Sequence, residues 1–254
     1  MKRLLRNMLN RMGYSLVRYP PESGSPLPMS DLSEQQKEII ARVKPFTMTS
    51  DERIASLINA VNHVTRNSIA GDIAECGVWR GGSMMTIALT LLANGDRSRS
   101  LYLYDTYEGM PPPTIHDKNY AGVSAEAQLA QEARGTGIWC YATLEDVRAN
   151  ILSTGYPEDK IHLIKGKVED TIPLSLPGNL SLLRLDTDWY ESTKHELTHL
   201  YPLLREQGIL IIDDYGHWQG ARKAVDEYFQ QQGGDVYLHR IDFTARLLMK
   251  PGGS

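Results

Sequence analysis

Four aspartates fall in two short runs of this 254-residue chain: Asp186 and Asp188 in Leu185-Asp186-Thr187-Asp188-Trp189-Tyr190, and the adjacent pair in Ile212-Asp213-Asp214-Tyr215. Carboxylates brought together repel one another strongly unless one keeps a proton or a cation joins them. Oxygen-only ligands select a hard cation, and Mg²⁺ typically sits on a few carboxylates with several waters. Asp186, Asp213 and Asp214 are therefore candidate metal ligands. The alternative is that Asp213 caps the following helix while Asp186 pairs with an arginine such as Arg184. Asp188 is the candidate general base. A hydroxyl is a poor nucleophile until deprotonated. A bound cation lowers its pKa, by less than the fall from about 15.7 to about 7 of zinc-bound water. A carboxylate beside the metal can then take the proton, a step typically contributing ~10²–10⁴ in rate. Asp188 also reads as a solvated acid at a helix start, and His195 and His217 are lesser base candidates.

A second motif is Glu75-Cys76-Gly77-Val78-Trp79-Arg80-Gly81-Gly82-Ser83. Glycines let the backbone turn tightly and let a ligand approach closely. A helix opening there offers unpaired N–H groups to an anion. The spacing Gly-x-x-x-Gly-Gly is neither the Gly-x-Gly-x-x-Gly of dinucleotide sites nor a Walker loop, which needs Gly-Lys-Ser or Gly-Lys-Thr. On its own it also reads as a plain strand-to-helix turn. Asp105 follows Gly77 by about 28 residues and ends the next strand, where an acid can accept hydrogen bonds from ribose hydroxyls. A glycine loop with a second-strand acid, but no pyrophosphate fingerprint, points to a nucleoside cofactor without a diphosphate. S-adenosylmethionine meets that description.

These residues need a scaffold, and the hydropathy pattern supplies one. Helical periodicity covers Arg53–Val64, Ser83–Leu92, Thr143–Leu152 (with Thr143 as cap), Glu191–Leu204 and Ala221–Gln231. Short apolar strands are expected at Asp72–Cys76, Leu101–Tyr104, Ile161–Ile164, Leu180–Leu185 and Gly208–Ile212. Val236–Ile241 and Ala245–Met249 are too close for a parallel crossover, so they must form an antiparallel hairpin. The alternation predicts an α/β fold, a doubly wound, Rossmann-like and mostly parallel seven-stranded sheet. In such sheets the ligand lies beyond the carboxyl ends of the strands. Glu75, Asp105, Asp186, Asp213 and Asp214 all stand at or near such ends.

The motifs Glu75-Cys-Gly-Val-Trp-Arg-Gly-Gly82, Asp105-Thr-Tyr-Glu-Gly-Met-Pro111, Leu185-Asp-Thr-Asp-Trp-Tyr190 and Ile212-Asp-Asp-Tyr215 together resemble the macrocin O-methyltransferase (TylF-like) family, from about Phe46 to Lys250. The resemblance implies the class I methyltransferase form of this sheet and methylation of sugar hydroxyls, with Mg²⁺ on Asp186, Asp213 and Asp214 and with Asp188 as base. Thr47-Met48, followed by Arg53, resembles the family's opening of a cofactor lid. Glu75, Gly77 and Gly81-Gly82, with Trp79, Arg80 and Ser83, are expected around the methionine end. Asp105 is expected at the ribose, Asp186 beside the cofactor, and Gly166, Lys167 and Val168, within Lys165–Glu169, at the adenine. The stretch from Pro111 to Cys140 matches the family poorly and is where acceptor specificity is expected. A chelating metal favours an acceptor with vicinal hydroxyls, on a small molecule or glycan. The competing readings are a nicotinamide-dependent Rossmann-type oxidoreductase and a non-catalytic cofactor-binding partner subunit. The first leaves the acidic trio unexplained; retention of all four aspartates opposes the second.

Composition narrows the classes. Hydrophobic residues make up 41% and charged residues 23%, which fits an ordinary folded domain. No run approaches the ~20 apolar residues of a membrane span, and two cysteines fit a cytoplasmic location. The net charge of −4 opposes nucleic-acid binding. Residues 1–20 carry five cations and no acid, which leaves the remainder at −9. Leu4, Leu5, Met8, Leu9 and Met12 recur there at helical spacing. Residues 1–40 are thus expected to form a basic amphipathic helix and linker, ahead of a methyltransferase domain over 41–254. Residues 1–18 could touch a membrane surface, dock on the domain as a lid, or join a homo-oligomer.

Overall fold

The computed structural model describes residues 31–131, 137–234 and 236–252. The chain divides into two compact units, Met1–Lys37 and Glu38–Ser254. The basic stretch 1–18 and the Pro20–Pro26 linker lie outside the described residues. Within the first unit Ser33 and Gln36 cap a helix start reciprocally. The Ser33 N–H donates to Gln36 Oε1 at 2.9 Å, and the Gln36 N–H donates to Ser33 Oγ at 3.3 Å.

One sheet organises the second unit. Its strands are β1 (Asp72–Cys76), β2 (Leu101–Asp105), β3 (Ile161–Lys165), β4 (Leu180–Leu185), β5 (Leu204–Ile212), β6 (His239–Arg240) and β7 (Arg246–Met249), in the order β3-β2-β1-β4-β5-β7-β6. Pairing is parallel from β3 through β5, and β7 runs antiparallel to both β5 and β6. β4 is buried along its whole length, as a strand covered on both faces must be. From β1 the chain steps outward to β2 and β3, then returns to the other side for β4 and β5. The strand order therefore reverses between β1 and β4, and a cleft opens there.

The helices are α1 (Glu34–Val43), α2 (Asp51–Arg66), α3 (Gly82–Ala93), α4 (Ala125–Gln131), α5 (Leu144–Leu152), the single turn α6 (Val168–Thr171), α7 (Tyr190–Leu200) and α8 (Gln219–Gln231). Ser50 caps α2 by accepting the Arg53 N–H at 3.2 Å, and Thr143 caps α5 by accepting the Asp146 N–H at 3.2 Å. α3 is almost wholly buried. Its Thr86 and Thr90 hydroxyls are satisfied by donating to the carbonyls of Gly82 and Thr86. Leu197 and Leu200 of α7, with Val225 and Phe229 of α8, close a core over Ala74, Cys76, Leu183, Leu185, Leu210 and Ile212. These strand residues alternate, so Glu75 of β1 and Arg184 of β4 point to the opposite face.

Several expected bounds are corrected. The helix from Glu191 does not reach Leu204. It ends at Leu200, because Pro202 offers no N–H to continue the ladder, and a 3-10 turn, Tyr201–Leu203, follows. β5 consequently begins at Leu204 rather than Gly208. β6 is confined to His239–Arg240 instead of Val236–Ile241. α1 and α4 were not part of the expected alternation. No helix among the described residues is long and apolar enough to cross a membrane.

Candidate active site

A cleft of about 1050 Å³ lies beyond the C-terminal ends of β1 to β5. Two different kinds of wall bound it.

The first wall is made from the loops after β1, β2 and β3. Gly77 leaves β1 at φ 78°, and a Cβ there would stand 2.1 Å from the Asp186 carbonyl oxygen, so only glycine lets the β1 and β4 loops touch. Trp79 also holds a left-handed φ, of 45°. A Cβ on Gly82 would lie 2.6 Å from the Phe46 carbonyl oxygen, which keeps Phe46 and Thr47 against the start of α3. The Asp105 carboxylate knits the wall together. Its Oδ2 accepts the N–H groups of Val78 (2.8 Å) and Trp79 (3.1 Å), and its Oδ1 accepts that of Tyr107 (2.8 Å). Burial still raises its pKa, against the pull of those donors. Thr47, Met48, Gly77, Trp79, Gly82, Ser83, Asp105, Gly166, Lys167 and Val168 line this side.

Three residues expected at the cofactor do not line the cleft. Glu75 is buried behind it with its carboxylate on Arg184. Arg80 turns away to pair with Asp146 at 2.9 Å, donates to the Pro45 carbonyl, and lies over the Phe46 ring at 5.2 Å. Gly81 is the N-cap of α3, at φ 84°, with a backbone role. Sequence spacing placed all three in the right loop without showing which way each faces.

The second wall is ionic. Arg184, fully enclosed, donates to Glu75, to Asp186 Oδ2 at 2.6 Å and to Asp213 Oδ1 at 2.5 Å. Arg53, from the first turn of α2, donates to Asp213 Oδ2 and lies 3.0 Å from Asp242. Asp186 thus does pair with Arg184, yet its oxygen remains grouped with those of Asp213 and Asp214: the three ligand atoms lie within 4.8 Å of one another. Desolvation pushes Asp186 up to about 6, although Arg184 pulls it down. Asp214 is pushed well up by burial and by Asp188, Asp186 and Asp213, and its Oδ2 is buried without a hydrogen-bond partner. An unpartnered buried carboxylate oxygen is costly, and with the Asp186 and Asp213 oxygens grouped beside it a hard cation is the partner this donor set fits.

Asp188 stands at the junction of the two walls, at φ 66°. Its carboxyl hydrogen-bonds Asp214 and the Trp218 side chain, and burial raises its pKa to about 7. Asp117, wholly buried in the excursion after β2, accepts the first N–H of α7, from Tyr190, at 2.8 Å and so fixes the chain just beyond Asp188. Thr187 between the acids donates to buried Glu196 at 2.9 Å. His195 is tied to the Ile172 carbonyl at 2.7 Å and stacks on His199, and neither His195 nor His217 lines the cleft. Two partners were missed from sequence. Arg184 was read as a pair for one acid and serves three, and Trp218 was not singled out. The signal for Arg184 was a lone charge in the apolar run Leu180–Leu185, since such a charge must be paired.

A family model described as macrocin-O-methyltransferase (TylF) matches residues 32–250. An 8-demethyl-8-(2,3-dimethoxy-alpha-L-rhamnosyl)-tetracenomycin-C 4'-O-methyltransferase from Streptomyces olivaceus is 36% identical over 198 residues, which cover 78% of this chain and 73% of the relative. A mycinamicin III 3''-O-methyltransferase from Micromonospora griseorubida is 33% identical over 196 residues, with 77% and 75% covered. The solved structure of the O-methyltransferase NovP superposes with a TM-score of 0.71 at 29% identity, covering 82% of this chain and 83% of its own.

Proposed function

Because the chain belongs to the macrocin O-methyltransferase family, we propose that it moves a methyl group from S-adenosylmethionine to a hydroxyl of a sugar or glycosylated small molecule, with Mg²⁺ held by Asp186, Asp213 and Asp214. The observation that carries the metal is the grouping of three carboxylate oxygens, one of them buried and unpartnered, beside Asp188. The name of the tetracenomycin relative, an O-methyltransferase of a rhamnosyl product, supports the acceptor class. When bound, S-adenosylmethionine supplies an already activated methyl carbon and Mg²⁺ a Lewis acid that lowers the pKa of a neighbouring hydroxyl. Family membership sets aside the nicotinamide-dependent and the non-catalytic readings.

Asp188 takes the hydroxyl proton on a carboxylate oxygen. Its raised pKa lies near the neutral range where a general base is most effective, and Trp218 and Asp214 hold it in place. Arg184 and Arg53 neutralise Asp186 and Asp213 enough for the acids to stand together. On the other wall Gly77, Trp79, Gly82 and Ser83, with Thr47 and Met48, border the methionine end; Gly166, Lys167 and Val168 border the adenine. Asp105 receives the ribose through its Oδ1. The Thr106 hydroxyl has one proton and gives it to the Gly109 carbonyl at 2.7 Å rather than to Oδ1 at 3.4 Å, which leaves Oδ1 one acceptor site beside the Tyr107 N–H. Holding oxygen and methyl carbon in line can contribute up to ~7–11 kcal/mol.

Exchange of the base and of a ligand separates the roles. Asp188→Asn should lower kcat by ~10²–10⁴ while S-adenosylmethionine affinity, read by calorimetry, stays near wild type; added Mg²⁺ should not restore it. Asp214→Asn should weaken Mg²⁺ binding and recover part of its activity in excess metal. Full turnover of a chelator-treated, metal-free enzyme would remove the metal from this reading, and binding of NADH in place of S-adenosylmethionine would remove the donor.

A further inference from the structure

Asp188 sits in a turn that its residue type does not favour. Its φ is 66°, and the Trp189 N–H donates across it to the Thr187 carbonyl at 2.7 Å. That closes a three-residue γ-turn with a positive φ at its centre, the rare and strained kind. Glycine would adopt such a turn freely, but glycine carries no carboxylate. A residue with a Cβ stays there only where its surroundings over-determine it. The position asks for both an acid and a left-handed backbone, so neighbouring groups must hold what the residue itself would release.

Two buried carboxyl groups meet that requirement, one on each side of the turn. Before it, the Thr187 hydroxyl donates to Glu196 Oε1 at 2.9 Å. After it, the Tyr190 N–H donates to Asp117 Oδ1 at 2.8 Å. Glu196 and Asp117 are both 0% exposed, and neither lines the cleft. Asp117 is itself fixed. Its Oδ2 accepts the Thr114 N–H at 2.6 Å and the Thr114 hydroxyl at 2.8 Å, and a Cβ on Gly220 would stand 2.1 Å from its Oδ1, so the start of α8 closes over it. Burial pushes the Glu196 carboxyl well above the usual carboxylate range, and its Oε2 has no hydrogen-bond partner. A half-satisfied acid is a poor filling for a core, so Glu196 is explained by what it holds.

We propose that Glu196 and Asp117 are positioning residues for Asp188. Glu196 acts through Thr187, and Asp117 acts through the Tyr190 N–H. Together they keep the turn closed, and the closed turn directs the Asp188 carboxyl onto Trp218 and Asp214. The inference rests on Asp188 as the base, in the reading above. Without either anchor Asp188 relaxes toward an ordinary backbone conformation, and its carboxyl leaves Trp218.

The Trp218 indole N–H, the one polar hydrogen of that ring, makes the bond to Asp188 and so reports where the carboxyl lies. Its resonance in a nitrogen–proton correlation spectrum of the full chain is assigned by its loss in Trp218→Phe. Asp188→Ala gives its position when the bond is absent. Thr187→Val deletes the donor to Glu196, and Glu196→Leu deletes the acceptor. Each should move the resonance most of the way to the Asp188→Ala position, and the double variant should move it no further, because both break one bond. Asp117→Ala should move it in the same direction. Glu196→Gln and Asp117→Asn keep an acceptor oxygen and should leave it at the wild-type position. The Trp79 indole, in the loop after β1, reports that each variant is folded, and the milder Thr187→Val carries the test where Glu196→Leu does not fold. A Trp218 resonance unmoved in Thr187→Val or in Asp117→Ala, or displaced as far in Glu196→Gln as in Glu196→Leu, overturns the inference and leaves Asp188 as the base. Wild-type kcat in Asp188→Asn removes the base, and the positioning role falls with it.

Discussion

The two walls of the cleft hold their shape by opposite means. Beyond β1 and β2, position comes from the backbone: left-handed φ angles, missing Cβ atoms, and N–H groups gathered on Asp105. Beyond β4 and β5, it comes from side-chain charge, with Arg184 and Arg53 set among Glu75, Asp186, Asp213 and Asp242. A backbone wall suits a ligand whose shape does not vary. A charge-balanced wall can exchange one cation for another. The difference implies where each is vulnerable: the first wall to added bulk and to loss of the Asp105 carboxylate, the second to loss of its shared cations.

Substitutions can break that contrast. Arg184→Met keeps bulk and removes the shared cation, leaving Glu75 and Asp186 without their partner and Asp213 with Arg53 alone. It should cost about 3–5 kcal/mol in urea unfolding, and a loss below about 1 kcal/mol would show that the wall does not depend on charge. Gly77→Ala adds one methyl group and no charge. The left-handed φ costs roughly 1–2 kcal/mol and displacing the Asp186 carbonyl ~1–3 kcal/mol more, which a thermal melt would register. A third measurement sharpens the ionic side. Burial pushes Asp188 up to about 7 and Asp214 higher, so below neutrality the pair retains a proton that a metal must displace. Mn²⁺ or Mg²⁺ affinity should therefore rise with pH through neutrality, by roughly tenfold per unit, and level off only once Asp214 has lost its proton. A calorimetric affinity flat from pH 5.5 to 8 would refute this. The smallest effect belongs to Arg80→Met. Its half-exposed pair with Asp146 should be worth under about 1 kcal/mol, and S-adenosylmethionine affinity should be unmoved.

Much of this was legible before any coordinates. Strand-end acids and helix-length apolar runs mark the sheet, and the glycine spacing marks the loop after β1, because periodicity and turn chemistry are local properties. Facing is not local. Glu75 and Arg80 flank Gly77 and Gly81, yet one is drawn inward by Arg184 on another strand and the other outward by Asp146 and Phe46. The early end of α7 was readable from Pro202 and was passed over in favour of its leucine pattern. The excursion carrying Asp117 and Tyr120 shows little periodicity, and its order comes from contacts with the starts of α7 and α8.

Glu75 lies directly beside Arg184 in the β1–β4 pairing. Side chains on a strand alternate faces, so sliding β4 by one residue would turn the guanidinium toward Leu197, Leu200 and Phe229. Glu196 is the acid buried on that side, and there the guanidinium would lose Glu75, Asp186 and Asp213 together. The buried ions are therefore also a key cut for one alignment of the two central strands, at the point where the strand order reverses. Only in that alignment do Asp186 and Asp213 arrive at a common edge. A chain that closes its sheet incorrectly separates the guanidinium from its three carboxylates, and the residues that furnish the chemistry also proofread the assembly.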